Sequence, residues 1–283
     1  METRFGQNLR NTLQEEDIVP FIGVYDVFSA SLAARHYHGL FLSGFSFAAS
    51  YYGLPDIGFI AWSDILAFTQ RVRSVLPNHH LMVDIDDGYG DPEIAAHVVA
   101  LLESIGASGV VIEDQKRPRR CGHFPGKQLL ELDEFVNKLT RVLASRKKLF
   151  VVARTDAIER DEQLTRARAF ADAGADAVLV EALPDLHLIR DLKTHIDQPI
   201  VVNQIAGGQS PSWNLKELKE AGVSMVNYST PCLFAAQLAI EETMKELKKH
   251  NGALPCSKKN GGSIQECTSL LEENLTRRAQ RRA

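Results

Sequence analysis

What the chain lacks narrows it first. No apolar stretch approaches the roughly 18 residues of a membrane span, so no membrane partner is expected. The start, METRFGQNLR, is charged and polar rather than a secretory h-region. Only four cysteines occur (Cys121, Cys232, Cys256 and Cys267), none in CxxC spacing, and a chain of this kind keeps them reduced in a cytoplasm. There is no excess of positive charge: a formal net charge of -4 gives no reason to expect nucleic acid or an anionic surface as partner. What remains, 283 residues with 45% hydrophobic and 24% charged, describes a soluble, intracellular globular protein.

Short β-branched runs recur through that chain. They are IVPFIGVY (18–25), GLFLSG (39–44), LMVDID (81–86), GVVIED (109–114), LFVVART (149–155), AVLVEA (177–182), PIVVNQ (199–204) and SMVNYS (224–229). Between them lie amphipathic segments of helical period, such as DPEIAAHVVALLES and DEQLTRARAFADAGA. Several helix-to-strand joints, SIGASGVVI and EAGVSMVNY among them, carry Gly where a helix C-cap falls. Eight strands alternating with helices predict an α/β fold of the (β/α)8 TIM-barrel type, over residues 1–250. An open doubly wound sheet is the rival, but no GxGxxG follows any of the runs.

A barrel of this type does its chemistry at the C-terminal ends of its strands. Those ends read Tyr25 and Asp26; Ser43, Gly44 and Phe45; Asp84 and Asp86; Glu113 and Asp114; Arg154 and Asp156; Glu181; Asn203; and Tyr228. Asp26, Asp91 and Asp156 also suit a plainer task as helix N-caps. Asp84, Asp86 and Glu113, however, come from adjacent strands and must approach one another. Buried carboxylates need a compensating cation or they neutralise. An oxygen-rich set completed by water suits Mg2+, with Mn2+ as the alternative.

A second constellation is IEDQKRPRRCGHFPGKQ, Ile112 to Gln128, a long excursion on the same face with the character of a lid. Lys116, Arg117, Arg119, Arg120 and Lys127 would attract a small anionic substrate and lower the pKa of the Cys121 thiol. Cys121 and His123 do not have the spacing of a zinc site.

Together, SGFSFAASYYGLPDIG, VDIDDGYGD, IEDQKRPRRCGH, VARTDA and VVNQIAGGQSP resemble the isocitrate lyase/phosphoenolpyruvate mutase superfamily over roughly residues 5 to 250. The likeness is to its short lyase branch, which includes 2-methylisocitrate lyase, 2,3-dimethylmalate lyase and oxaloacetate hydrolase. The resemblance implies a Mg2+-dependent barrel that cleaves a carbon–carbon bond of a 2-hydroxy di- or tricarboxylate. It implies Asp86 as the most direct metal ligand, with Asp56, Asp84 and Glu113 holding the metal largely through water. Ser43, Gly44 and Phe45 would present a hydroxyl and backbone N–H groups to the substrate, and Arg154 would pair with its carboxylate. Cys121 resembles the lyases' general acid, with His123 beside it, while Glu181 and Asn203 match further pocket positions. Tyr25, Glu181 or a metal-linked water are the candidates for the base.

The chain departs from that pattern at Ile85, where a small residue is common, at Asp87, and at Phe45, where methylisocitrate lyases carry Gly. Phosphonopyruvate chemistry at a P–C bond and oxaloacetate hydrolysis stay open as alternatives, as does a non-catalytic barrel. Residues 251–283 read as a linker, NGALPCSKKNGG, and a helix with Ile264, Cys267, Leu270 and Leu271 on one stripe. Such a helix must bury its stripe either on its own barrel or, as the resemblance implies, on a neighbouring subunit of a homo-oligomer, a tetramer built from dimers.

Overall fold

The computed structural model describes residues 4–253 and 262–280. Eight parallel strands follow one another as β1 (Val19–Val24), β2 (Gly39–Leu42), β3 (His80–Asp84), β4 (Gly109–Glu113), β5 (Phe150–Thr155), β6 (Ala177–Val180), β7 (Ile200–Gln204) and β8 (Met225–Tyr228). They pair in sequence order, and β8 returns to β1 with Phe21 opposite Asn227, so the sheet closes into a barrel. Every run read as a strand is one, and the (β/α)8 architecture is the expected one.

The helices are α1 (Phe5–Glu15), α2 (Val27–Ala33), α3 (Gly44–Phe47), α4 (Trp62–Val75), α5 (Pro92–Ile105), α6 (Leu132–Ser145), α7 (Arg160–Asp172), α8 (His187–Lys193), α9 (Leu215–Ala221), α10 (Pro231–Lys249) and α11 (Ile264–Gln280). Their ends follow local chemistry. Asp26 caps α2 by accepting from the Ser29 N–H at 2.6 Å, and Asp91 caps α5 by accepting from the Ile94 N–H at 2.9 Å. Gly106 and Gly222 end α5 and α9 with φ of 97° and 94°, the left-handed region that glycine enters without a Cβ clash. Asp156 is a correction: the cap position of α7 is Glu159, and Asp156 serves elsewhere.

Period-two alternation along the strands separates two cores. Phe21, Phe41, Met82, Val111, Phe150, Val152, Leu179, Val201 and Met225 fill the barrel interior, and Leu9 of α1 joins them. The alternate residues, such as Leu40, Leu42, Leu81, Val83, Val110 and Ile112, pack outward beneath the helices. Each fully buried side chain of this size contributes about 1.5–3 kcal/mol, which makes the two layers the bulk of the stabilisation. Parity then decides which way each strand's last residue points.

The C-terminal helix takes the own-barrel alternative, with a narrower buried stripe than its sequence reading. Of the expected stripe, only Leu270 is buried; Ile264, Cys267 and Leu271 are exposed. The helix docks on its own chain through Leu270 and Asn274, one turn apart. The Asn274 side-chain amide donates to Ser31 Oγ at 2.8 Å, and Arg35 pairs with Glu273 at 2.6 Å. Leu271 sits a residue too far round the helix to share that face. Residues 254–261 of the expected linker, with Cys256, lie outside the described residues. Among the described residues no helix is long and apolar enough to cross a membrane. Helix α10 buries no residue, and it exposes Leu238, Ile240 and Met244.

Glu103 near the end of α5 shows how the outer layer is tied together. Its buried carboxylate accepts from the backbone N–H groups of Lys147, Lys148 and Leu149 at 2.6 to 2.9 Å, fixing the turn into β5. Glu103→Ala leaves those donors without their partner. We expect a loss of about 2–4 kcal/mol in urea unfolding at an unchanged m value, the scale of several charge-assisted hydrogen bonds.

Candidate active site

The parity that puts Phe41, Met82, Val111, Val152, Leu179 and Val201 inside the barrel continues to the strand ends. Two residues further along lie Ser43, Asp84, Glu113, Arg154, Glu181 and Asn203, all turned towards the barrel mouth. All of these except Glu113, together with Phe45, Asp56, Cys121, Gly122, His123, Ile205 and Ser229, line one polar cavity of about 20 Å³. Tyr25, also expected here, is half-buried and is not among the lining residues.

The acids differ in how they are satisfied. Asp84 accepts from the backbone N–H groups of Gly44 and Asp86, both at 3.2 Å. The Gly44 N–H is thereby committed to Asp84 rather than free for a ligand. Ser43 Oγ accepts from the Ser46 N–H as the cap of α3. Gly44 is needed at this approach, since a Cβ there would stand 2.9 Å from Asp84 Oδ2 and 3.3 Å from Asp86 Oδ1. Asp86 sits just beyond β3 with a left-handed φ of 50°, and both its carboxylate oxygens are buried without a hydrogen bond. Burial pushes Asp86 up to about 7 and Glu113 up to about 8, and it raises Asp84 as well.

Arg119 is the cation among them. Its guanidinium is fully buried, lies 2.7 Å from Glu113 and 3.3 Å from Asp86, and pairs with Asp56. Among the described residues no three His, Cys, Asp or Glu side chains form a metal cage. The donor set nevertheless fits a hard divalent cation. Mg2+ takes one or two carboxylates and keeps its waters, and Asp86 offers two buried oxygens with no other hydrogen-bond partner. Ile85 points into the outer core, so that departure leaves the acids in place.

The lid closes over this ring from an antiparallel bridge between Gln115 and Leu129. Arg117 grips Asp87 through two hydrogen bonds of 2.8 and 2.7 Å. Lys127 donates to the Gly122 carbonyl at 2.5 Å and stands 3.5 Å from Asp156. His123 Nδ1 accepts from the Gln209 N–H at 2.9 Å, so Nε2 carries the proton of the neutral ring. That nitrogen faces Glu181 Oε1 at 2.8 Å. Glu181 also accepts from the Asn203 amide at 2.9 Å and lies 3.3 Å from Arg154. Burial pushes its carboxyl up, but Arg154, His123 and Asn203 outweigh burial and hold it down at about 2.

Arg154 meets Asp156 through a two-bond fork, both at 2.9 Å, and lies 3.4 Å from Glu113. Of its two sequence readings, strand-end acid and helix cap, Asp156 takes the first and is thus a site residue. In the sequence Arg119 is one of five similar lid cations, and no local signal separates it from its neighbours. Cys121 requires a larger correction. The lid cations were expected to lower its pKa, but Arg117, Arg119 and Lys127 are committed to acids and a carbonyl. Burial therefore dominates and pushes the thiol up to about 12.

Two tests follow from this geometry. A Cβ on Gly122 would stand 2.4 Å from Arg154 Nη2 and 2.6 Å from Asp156 Oδ1, so the lid cannot seat over it. Gly122→Ala should lower kcat/KM by about 10² or more while the melting temperature changes little. In alkylation at neutral pH followed by mass spectrometry, exposed Cys267 should react before buried Cys121. Fast labelling of Cys121 would contradict its burial under the lid.

Comparison with known proteins identifies the family. The family model described as phosphoenolpyruvate phosphomutase matches residues 9–248. Petal death protein of Dianthus caryophyllus is 32% identical over 85% of this chain and 78% of its own. A 2-methylisocitrate lyase of Aeropyrum pernix is 33% identical over 86% of this chain and 80% of its own. Among solved structures, 2,3-dimethylmalate lyase superposes with a TM-score of 0.89 at 29% identity, covering 98% of this chain and 95% of that one. A phosphonopyruvate hydrolase complex with oxalate and Mg2+ superposes with a TM-score of 0.85 at 25% identity, covering 98% of each chain. The chain therefore belongs to the isocitrate lyase/phosphoenolpyruvate mutase family of enzymes, on the side of its carbon–carbon lyases.

Proposed function

We propose that this enzyme cleaves a 2-hydroxy di- or tricarboxylate into a 2-oxo acid and a carboxylate, with Mg2+ as its metal. The observation that carries the reading is the buried Cys121 thiol, lining the same cavity as the carboxylates of Asp56, Asp84 and Glu181 and the guanidinium of Arg154. Asp86 would hold the metal most directly, with Asp84, Glu113 and Asp56 holding it through water. Bound there, Mg2+ supplies Lewis-acid polarisation of the oxygens of the incipient 2-oxo acid.

The chain's own groups account for the rest. A base takes the hydroxyl proton, the C–O bond becomes C=O, and the C2–C3 electrons pass to the departing carboxylate as an enediolate. Cys121 then gives its proton to C3, and solvent restores both protonation states after release. A thiol raised by burial keeps its proton until the carbanion-like carbon appears, which suits a general acid. Glu181, held near 2, is too weak a base for the hydroxyl. Burial raises the Tyr25 phenol, which keeps it protonated and off that task too. Glu181 instead orients His123 and Arg154, and Arg154 lends fixed positive charge beside the developing anion. The polar cavity holds no more than about one water, so a diacid enters when the lid lifts.

The same proposal extends to assembly and compartment. The exposed apolar residues of α10 support a second copy of this chain as their cover, in a dimer of dimers. The reduced thiols Cys121, Cys232 and Cys267 suit the cytoplasm. No nucleic acid or membrane belongs to the reading.

Turnover of a panel of 2-hydroxy and 2-oxo di- and tricarboxylates, with phosphonopyruvate included and products followed by mass, is the deciding experiment. Cleavage of a diacid that is lost on chelation supports the lyase; cleavage of phosphonopyruvate alone overturns it. Asp86→Ala should abolish turnover and weaken Mg2+ binding by calorimetry. Cys121→Ser should lose about 10²–10⁴-fold in kcat with KM nearly unchanged, the usual worth of a general acid. A phosphorus-transferring enzyme would tolerate that change.

A further inference from the structure

Beside the polar cavity lies a second one of about 330 Å³, whose surface is almost wholly apolar. Leu54, Ile57 and Phe124 line it, and Phe45, Asp56 and Cys121 line both cavities. We propose that this cavity is the second compartment of the active site and takes an apolar substituent, larger than methyl, on the substrate carbon that Cys121 protonates. The proposal rests on the lyase reading and names the substrate class within it.

Three observations carry it. First, continuity: the thiol that delivers the proton stands in the wall common to both compartments. The carbon it protonates must sit at that junction. Its carboxylate faces Arg154 in the polar cavity, so its remaining substituent projects into the apolar side.

Second, the charged residues that line the cavity have engaged head groups. Asp56 pairs with Arg119, while Arg120 donates from its guanidinium to the Arg119 carbonyl at 3.0 Å and from its backbone N–H to Gln115 at 2.8 Å. Their stems contribute carbon surface, as long side chains commonly do.

Third, size. The volume is about twice the roughly 150 Å³ of an apolar cavity that stays dry and admits benzene. A butyl or benzyl group fits that scale. It would also cover Leu54 and Phe124, which are 41% and 58% exposed. The carboxymethyl arm of a tricarboxylate is the poorer occupant, because a charge brought against that wall loses its water. The favoured substrates are thus 2-hydroxydicarboxylates with an alkyl or arylalkyl group at C3.

The experiment uses the full-length enzyme with Mg2+. Calorimetry measures binding of succinates carrying hydrogen, methyl, butyl, benzyl or carboxymethyl at C2. Kinetics measures kcat/KM for the malates carrying the same groups at C3. Both should rise about three- to fourfold per methylene up to butyl, the worth of burying one CH2 group, with no gain for carboxymethyl. Leu54→Asn should flatten the dependence on chain length.

A flat binding series overturns the compartment even where malates are cleaved. A flat series in which Leu54→Asn also changes the oligomeric mass means that a second copy covers the cavity, which overturns it as well. No cleavage of any malate sinks the lyase reading instead, and the binding series still decides whether the compartment takes apolar groups.

Discussion

Burial of negative charge at the barrel mouth is the constraint on which the rest of the site depends. Asp56, Asp86 and Glu113 are each less than a tenth exposed, and Asp84 is only partly exposed beside them. A lone carboxylate in such surroundings loses several kcal/mol of hydration or takes up a proton. Arg119 and Arg154 answer that cost from opposite sides. Arg119 comes from the lid and reaches Asp56, Asp86 and Glu113, whereas Arg154 stands on β5 and reaches Glu113, Asp156 and Glu181. Glu113 is the shared member, so the lid and the barrel wall belong to one charge network. Asp86 joins that network by charge alone, since neither of its buried oxygens accepts a hydrogen bond, and they are where a divalent cation fits best.

Much of this was legible in the chain, for identifiable reasons. Strands β3 to β7 are written by short β-branched runs, and the two-residue repeat of strand geometry carries Asp84, Glu113, Arg154, Glu181 and Asn203 to one face. That is backbone geometry, and it needs no knowledge of packing. Asp26 and Asp91 could be read as caps because capping is decided within three residues. What stayed hidden depends on partners far away in sequence. Asp156 looks like another cap until β5 places Arg154 beside it. Arg119 cannot be told from Arg117 or Arg120 until the loop is folded over Asp56, Asp86 and Glu113.

The thiol shows the same limit more sharply. Five basic residues around Cys121 argue for a thiolate only if their charges are free. Once three of them are committed, the thiol experiences mainly the loss of solvent and the neighbouring Asp56. A count of nearby charges gives one sign and their pairing gives the other. For a proton donor the second sign is the useful one, since a group that has already ionised has nothing to deliver. The C-terminal helix errs for a related reason: a stripe of four apolar residues was visible, but only Leu270 finds a surface to meet.

The two arginines that bring the lid down stand in different dielectric surroundings. Arg119 is 1% exposed and its counter-ions are buried too, so mobile ions hardly reach them. Arg117 is 42% exposed where it holds Asp87, within reach of the ionic atmosphere. At 0.1 M salt the screening length is about 10 Å and at 1 M about 3 Å, so rising ionic strength weakens the outer clasp and leaves the inner one nearly untouched. The lid therefore has a salt-labile edge and a salt-resistant centre. Ions in the surrounding solution act on the Asp87 clasp before they act on the contacts of Arg119 with Asp56, Asp86 and Glu113.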